Sequence, residues 1–403
     1  MSDAADILLR EVARKIQLPP FLHNLAVERY ETIYGWLGRP ESRLRTVLGD
    51  IYPQGSMKIG SSISSKFDTD EFDIDLLLDL ALPDDADPRW VLDTLYETIR
   101  GPAGSRYHDC TTRQTRCVTV DYAEMHLDIT PAIRFPAGYE PRTSYIFHSK
   151  QEEPRHLDRR ITANPWGFGE WFIERTPLER ELAEALVKAR KMAEPVKDQE
   201  PVEDKSLALI SLQLLKRWRN ITYEARVKHG WRKPPSVLMA KLVADAATGR
   251  NRSLHAEMLR QIEHMHRVFN AAHNAGKLVQ IKNPKCDADV FSDRWPENLS
   301  VQERFLGELR SLHASVAQLA EVPLLEKQEI LMALFGEQTA RTVLAEFAKR
   351  TATAAVSGRL QHLTESGRVA LGASGIGGIA AASARPTAPH TFFGDDREEP
   401  QEG

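Results

Sequence analysis

Phe72-Asp73-Ile74-Asp75-Leu76, preceded a short way upstream by Gly55-Ser56, is the stretch on which the fold of this chain turns. Successive side chains of a strand alternate faces, so Asp73 and Asp75 project to one side with Ile74 behind them. The run Ile74-Asp75-Leu76-Leu77-Leu78 is apolar enough for a central strand, which puts the carboxylates where that strand leaves the core. Two carboxylates one strand repeat apart can share a pair of hard divalent cations, which take oxygen ligands and bridge substrate phosphates. A third carboxylate, Asp128, lies in His126-Leu127-Asp128-Ile129-Thr130, where apolar and polar residues alternate as in a half-buried strand. An Asp-x-Asp pair alone more often sits on a solvated turn. The order carries the catalytic reading: a Gly-Ser turn, paired carboxylates, then a third on a strand. Asp68, Asp70 and Glu71 read as loop charges.

With these motifs the chain resembles the polymerase-β-like nucleotidyltransferases, and within them the cGAS/DncV-like nucleotidyltransferases (CD-NTases) of bacterial anti-phage signalling. The residues that carry the resemblance are Pro53-Gln54-Gly55-Ser56-Met57-Lys58-Ile59-Gly60, Glu71-Phe72-Asp73-Ile74-Asp75 and Leu127-Asp128-Ile129-Thr130-Pro131-Ala132. Asn164-Pro165-Trp166-Gly167 through Trp171-Phe172 resembles the family's link between its halves. Leu214-Leu215-Lys216-Arg217-Trp218-Arg219-Asn220 and Lys233-Pro234-Pro235-Ser236-Val237 resemble its helical nucleotide-binding pair.

The resemblance implies an α+β fold, in which a mixed sheet with helices is followed by a C-terminal helical domain and the active site lies in the cleft between them. It implies a synthase that joins ATP and/or GTP into a cyclic di- or trinucleotide messenger, read downstream by an effector. Asp73, Asp75 and Asp128 are then catalytic and hold two Mg²⁺ ions, with Mn²⁺ as a substitute. Gly55 and Ser56 cradle the donor phosphates at a helix start, and Lys216 and Ser236 clamp the triphosphate from the helical side. On its own, Lys216 also reads as a solvated helix charge, and Ser236 as an N-cap just past two prolines. Lys58 is compatible with the phosphate side or with solvent.

Composition narrows the class. At 403 residues the chain is long enough for two lobes. Its longest apolar runs are too short to span a bilayer, and the acidic start Met1-Ser2-Asp3-Ala4-Ala5-Asp6 is no signal peptide, so a cytoplasmic enzyme is expected. Cys110, Cys117 and Cys286 show no C-x-x-C spacing, which argues against structural zinc and for free thiols. A net charge of −4 and a pI of about 6.4 lack the basic excess that duplex DNA requires.

The expected organisation is a catalytic core over 1–175 with a long N-terminal brace helix, a helical nucleotide-binding domain over 176–358, and a flexible tail over 359–403. Helices are expected over 3–17, 22–48 (with Gly38-Arg39-Pro40 as a candidate break), 88–100 (Trp90, Leu92, Leu95 and Ile99 on one face), 177–193, 203–220, 234–247, 252–275 and 298–321. Strands are expected at Arg116–Val120 and from Met125 to Ile129, stopped by Pro131, with an irregular connection over 134–175. Toward its end the Gly/Ala/Ser/Pro-rich tail carries Pro389-His390-Thr391-Phe392-Phe393-Gly394, which reads equally as a docking motif or as a loosely packed end. The resemblance adds a ubiquitin-transfer-like partner engaging that tail. Two rival readings share the motifs: a templateless transferase acting on RNA or protein, and a non-catalytic interaction protein.

Overall fold

The computed structural model of the chain describes residues 4–64, 72–123, 125–177, 202, 205–249, 253–356, 360–363, 369–371 and 384–386. Two helices open it, α1 (Ala4–Ile16) and α2 (Pro20–Leu37). The catalytic half then runs β1 (Leu48–Pro53), α3 (Gly55–Lys58), β2 (Phe72–Leu80), α4 (Pro88–Arg100), β3 (Thr111–Arg113), β4 (Val118–Asp121), β5 (Met125–Arg134), β6 (Ser144–His148), β7 (Arg159–Ala163) and α5 (Pro165–Arg175). The helical half has α6 (Leu207–Val227), α7 (Ser236–Ala246), α8 (Leu254–Asn274), the small β8–β9 pair (Lys282–Asn283 with Cys286–Val290), α9 (Leu299–Glu321), α10 (Leu324–Phe335) and α11 (Glu337–Val356).

The seven strands form one sheet in the order β1-β2-β5-β4-β3, with β6 joining β5 and β7 joining β6. The β2–β5 pairing is parallel and the others are antiparallel. Alternation along β2 splits its residues between two environments. Phe72, Ile74, Leu76, Leu78 and Leu80 are buried in a core shared with α2 and α4. Asp73, Asp75, Leu77 and Asp79 take the other face, which is turned toward the helical half. Leu77 there packs with Tyr52, Ala132 and Trp166.

The helix expected over 22–48 takes the break that the sequence allowed at Gly38-Arg39-Pro40, ending at Leu37, and β1 begins at Leu48. The brace is thus two helices: α1 is buried in the helical core and α2 in the sheet core. Other expectations are corrected. Pro131 does not end β5, which runs on to Arg134. On one side it falls between the last β4 partner, Ile129, and the first β6 partner, Ala132, while on the other it stays in register with Leu78 of β2, so the strand is carried past it. The stretch 134–175 is not irregular but holds β6, β7 and α5. In α4 the buried face is Val91, Leu92, Leu95 and Ile99, whereas Trp90 is exposed.

The helix expected over 177–193, the loop charges Asp68, Asp70 and Glu71, and the Phe392-Phe393 motif lie outside the described residues. Within 360–386 three short strands, Leu360–Leu363, Val369–Leu371 and Ala384–Pro386, pair antiparallel with the first at the centre; no strand was expected there.

Candidate active site

In the parallel register Asp75 of β2 faces Asp128 of β5, and Asp73 faces His126. On the other side of β5, Asp128 pairs with Thr119 of β4. Asp75, Asp128 and Thr119 therefore form one row across the sheet at strand spacing, about 4.8 Å per step. Thr119 donates from its hydroxyl to Asp128 Oδ1 at 2.5 Å, which fixes the rotation of that carboxylate.

Crowding of like charge shows in the acidities. Burial first, then the charges of Asp128 and Asp73, push Asp75 up to about 7, while Lys216 opposes the rise. Asp128 is also raised, by burial and then Asp73, against the lowering effect of the Thr119 bond. Cys117, half-buried beside both Asp128 and Asp75, is raised as well, and all three cysteines are free thiols.

The Gly-Ser turn is tied to β2 from below. Gln54 donates its backbone N–H to the Asp75 carbonyl at 2.8 Å, and its side-chain amide reaches the Leu76 carbonyl at 3.3 Å. Gly55 has φ 55°, and a Cβ there would stand 2.5 Å from Asp75 Oδ2. Only glycine allows both the left-handed conformation and that approach. The helix after it, α3, spans only 4 residues, so it carries little macrodipole of its own. A lysine supplies the positive charge instead. Lys216 Nζ, from the buried face of α6, donates to Ser56 Oγ at 2.7 Å and to the Ser61 carbonyl at 2.8 Å. Burial and the charge of Arg219 push this amine down to about 7, with Asp75 and Asp73 partly restoring it. Lys216 is thus buried in the cleft and not a solvated helix charge.

Lys58 turns away from the cradle to pair with Glu170, and its Nζ lies 3.4 Å from the Trp166 ring centroid. Ser236 opens α7 with Pro235 as its N-cap, and its side chain makes no capping bond. The structure brings Gly55, Ser56, Asp73, Asp75, Asp128 and Lys216 to one cleft, and places Ser236 on the helix packed beside Lys216's own. Sequence reasoning missed Thr119, and it held Arg219 only as part of the Leu214–Asn220 motif, without a role of its own. Thr119 was legible by folding the Val118-Thr119-Val120 strand onto β5. Arg219 is buried one turn beyond Lys216, donates to the Pro234 carbonyl at 3.0 Å, and is held to about 10 mainly by burial, with Asp73 raising it.

Among the described residues, no three His, Cys, Asp or Glu side chains stand close enough together to hold an ion alone. The donor set is nonetheless all oxygen, and it opens into a cavity of about 500 Å³ lined by Asp73, Asp128, Cys117, Thr119, Arg116 and Arg294 among others. That fits Mg²⁺, which keeps one or two carboxylates and takes its remaining ligands from substrate phosphates and water.

The chain is similar to known proteins over most of its length. Residues 9–152 match the Second Messenger Oligonucleotide or Dinucleotide Synthetase domain. The cyclic dinucleotide synthase CdnG of Bradyrhizobium diazoefficiens is 34% identical over 98% of this chain and 96% of its own length. A c-di-GMP synthase of Roseivirga ehrenbergii is 23% identical over 91% of each. The structure of the Bradyrhizobium CdnG in complex with GTP superposes with a TM-score of 0.71 and 32% identity, covering 85% of this chain and 98% of that one. The Escherichia coli CdnC in its HORMA complex shares the fold at a TM-score of 0.54 and 15% identity, over 82% of this chain and 96% of that one. With whole-length identity of this order and a shared polymerase-β-like core, the chain belongs to the cGAS/DncV-like nucleotidyltransferases.

Proposed function

We propose that the chain is a cyclic dinucleotide synthase that joins two molecules of GTP in two rounds of nucleotidyl transfer. The observation that carries this reading is the row Asp75–Asp128 facing the Ser56–Lys216 pair across one cleft. In each round a ribose hydroxyl attacks the α-phosphate of a triphosphate. An O–P bond forms, the bond to the bridging β-oxygen breaks, and pyrophosphate leaves. Guanine is favoured because one relative is named for c-di-GMP and another was solved with GTP.

The chain's own groups divide the work. Asp128, raised by burial and oriented by Thr119, accepts the hydroxyl proton. Lys216 and the Ser56 hydroxyl, already hydrogen-bonded to one another, grip the donor β- and γ-phosphates beside the open turn at Gly55. Ser236 adds a hydroxyl from the start of α7. Two Mg²⁺ ions (or Mn²⁺) held by Asp73, Asp75 and Asp128 supply, when bound, Lewis-acid activation of the hydroxyl and neutralisation of phosphate charge. The raised Asp75 and lowered Lys216 fit a site shaped to receive both cations and phosphates, each of which would restore the charged form of its neighbour.

Two partners are proposed on the family resemblance alone: an effector that reads the cyclic product in anti-phage defence, and a ubiquitin-transfer-like enzyme that engages the C-terminal segment. No described helix is long and apolar enough to cross a membrane, and we place the enzyme in the cytoplasm, where its triphosphate substrates are. Transfer to RNA or protein, or a role without catalysis, loses ground to a whole-length match with a named cyclic dinucleotide synthase.

The test is product analysis. The purified chain, incubated with Mg²⁺ and all four NTPs, should yield a phosphatase-resistant cyclic di-GMP by anion exchange and mass spectrometry. Extension of added RNA without any cyclic product overturns the proposal.

A further inference from the structure

The cavity that begins at Asp73 and Asp128 ends on two arginines, Arg116 from the β3–β4 hairpin and Arg294 from the loop after β9. A single ring holds both guanidiniums. Arg116 donates through Nε to His148 Nδ1 at 3.3 Å, and Arg294 lies with Nη2 3.1 Å from the same atom. Burial first, then the charges of Arg116, Arg159 and Arg294, push His148 down to about 4. The ring is therefore neutral near pH 7, accepts from the arginines, and adds no charge to them.

Compensation is thin. Asp293 lies 3.2 Å from Arg116 and 3.9 Å from Arg294, and Asp289, hydrogen-bonded by Asn283, feels Arg116 from farther off. Arg159, on β7 opposite His148, adds a third cation nearby. Glu153 acts on the ring too, but it is paired with Lys150 at 2.9 Å. Three guanidiniums against Asp293 and the more distant Asp289 make a positive wall facing the catalytic carboxylates. The donor phosphates have no need of it, since Ser56 and Lys216 already offer them a cradle.

A reaction between two nucleoside triphosphates brings a second polyanion whose ribose hydroxyl must reach Asp128. We propose that Arg116 and Arg294, with Arg159 at the rim, hold the 5′-triphosphate of the acceptor nucleotide and so position its hydroxyl against Asp128. This rests on the synthase reading. The charge count favours phosphate over base: one guanine edge is satisfied by a single arginine and a carboxylate, whereas this wall carries a surplus of cations. A consequence follows for the reaction sequence. After the first bond forms, the linear intermediate still carries that triphosphate, which must leave the arginine wall for the Ser56–Lys216 cradle before the ring can close.

The experiment compares wild type with the double variant Arg116→Gln/Arg294→Gln. With GTP as donor and GTP or GMP offered as acceptor, mass spectrometry separates pppGpG and its cyclic product from pGpG. Wild type should prefer the triphosphate acceptor, and the variant should lose at least about tenfold of that preference. Its preference for GTP over ITP should stay. Loss of the guanine preference with the phosphate preference intact overturns the proposal in favour of a base pocket, and no change in either shows the arginines to be mere surface charge. A second readout needs no turnover. Inorganic tripolyphosphate with Mg²⁺ should bind wild type at two sites and the variant at one. If two sites become one but no nucleotide product ever forms, the anion site stands and the synthase reading fails. If product forms while both proteins bind a single tripolyphosphate, the anion site fails alone.

Discussion

Replacing Gly55 by alanine separates two effects that the turn combines. Its φ of 55° places an alanine in the left-handed region, which costs about 1–2 kcal/mol. The new Cβ would also stand 2.5 Å from Asp75 Oδ2 and 3.3 Å from Cγ, where ordinary contact begins at 3.4 Å. The carboxylate must therefore move by roughly 0.9 Å, and because it is the end of a short side chain it can do so by rotating, at little cost to the fold. The cost falls on catalysis, where a misplacement of about 1 Å is worth on the order of 100-fold. Gly104 supplies the control: its φ is 80°, and a methyl added there would meet nothing within 4 Å. Both substitutions should lower thermal stability by similar amounts, read by differential scanning fluorimetry. Only Gly55→Ala should reduce cyclic product formation, by about 100-fold at saturating GTP and Mg²⁺. A Gly55→Ala enzyme within threefold of Gly104→Ala would refute the idea that the turn positions Asp75.

Four further outcomes are expected. Asp75→Asn should abolish turnover yet stabilise the metal-free protein at pH 8 by roughly 1–3 kcal/mol; Asp75 sits near 7 in the fold against 3.8 outside it, so wild type loses stability as pH rises from 3.8 to about 7, and denaturant titration of the variant should lack that loss. Lys216→Met should cut turnover by about 100-fold or more while melting no lower at pH 7, because the amine near 7 already loses stability for wild type as pH falls from 10.5; a large drop in melting temperature would contradict the burial argument. His148, held near 4 against 6.5, should make the protein lose about 1–2 kcal/mol as pH falls from about 6.5 toward 4, and His148→Gln should flatten that slope in acid titrations. Duplex DNA should stimulate product formation no more than a few-fold, and a large, salt-sensitive response would reveal a basic surface that net charge conceals.

Local patterns made the catalytic half legible. Alternation around Asp73 and Asp75 needs no tertiary knowledge, and β2 buries its other side as that alternation requires. Asp128 was found the same way, but its partner Thr119 depends on hairpin register, which a strand reading alone does not supply. Lys216 was suggested by likeness and left open by its own residues, since a lysine on a helix is most often solvated. Its burial is decided by Ser56 and Ser61, about 155 residues away in sequence, and no helical periodicity reports that. The arginine wall was illegible for the same reason. Arg116, His148 and Arg294 come from three separate segments and meet only because β6 and the loop after β9 close over the hairpin. The extension of β5 past Pro131 shows the opposite error, a rule of thumb for proline applied where the sheet happens to change neighbours.

The first of these helices to leave the ribosome is completed last. Ala5, Leu8, Leu9, Val12 and Ile16 of α1 are all buried in the helical core, and the helix packs on α6, α8, α9 and α11. Its Asp6, itself buried, accepts from the Ser253 hydroxyl at 3.0 Å and the His255 N–H at 3.1 Å at the start of α8. At about 5–20 residues per second, synthesis from the end of α1 to α11 takes roughly 15–65 s. Throughout that time the nascent chain carries a bare apolar stripe, while the sheet behind it can already fold. A fragment ending near residue 175 would keep that stripe permanently uncovered, so the catalytic half should be sticky when made alone, and a host cell has to shield α1 until the last helices arrive.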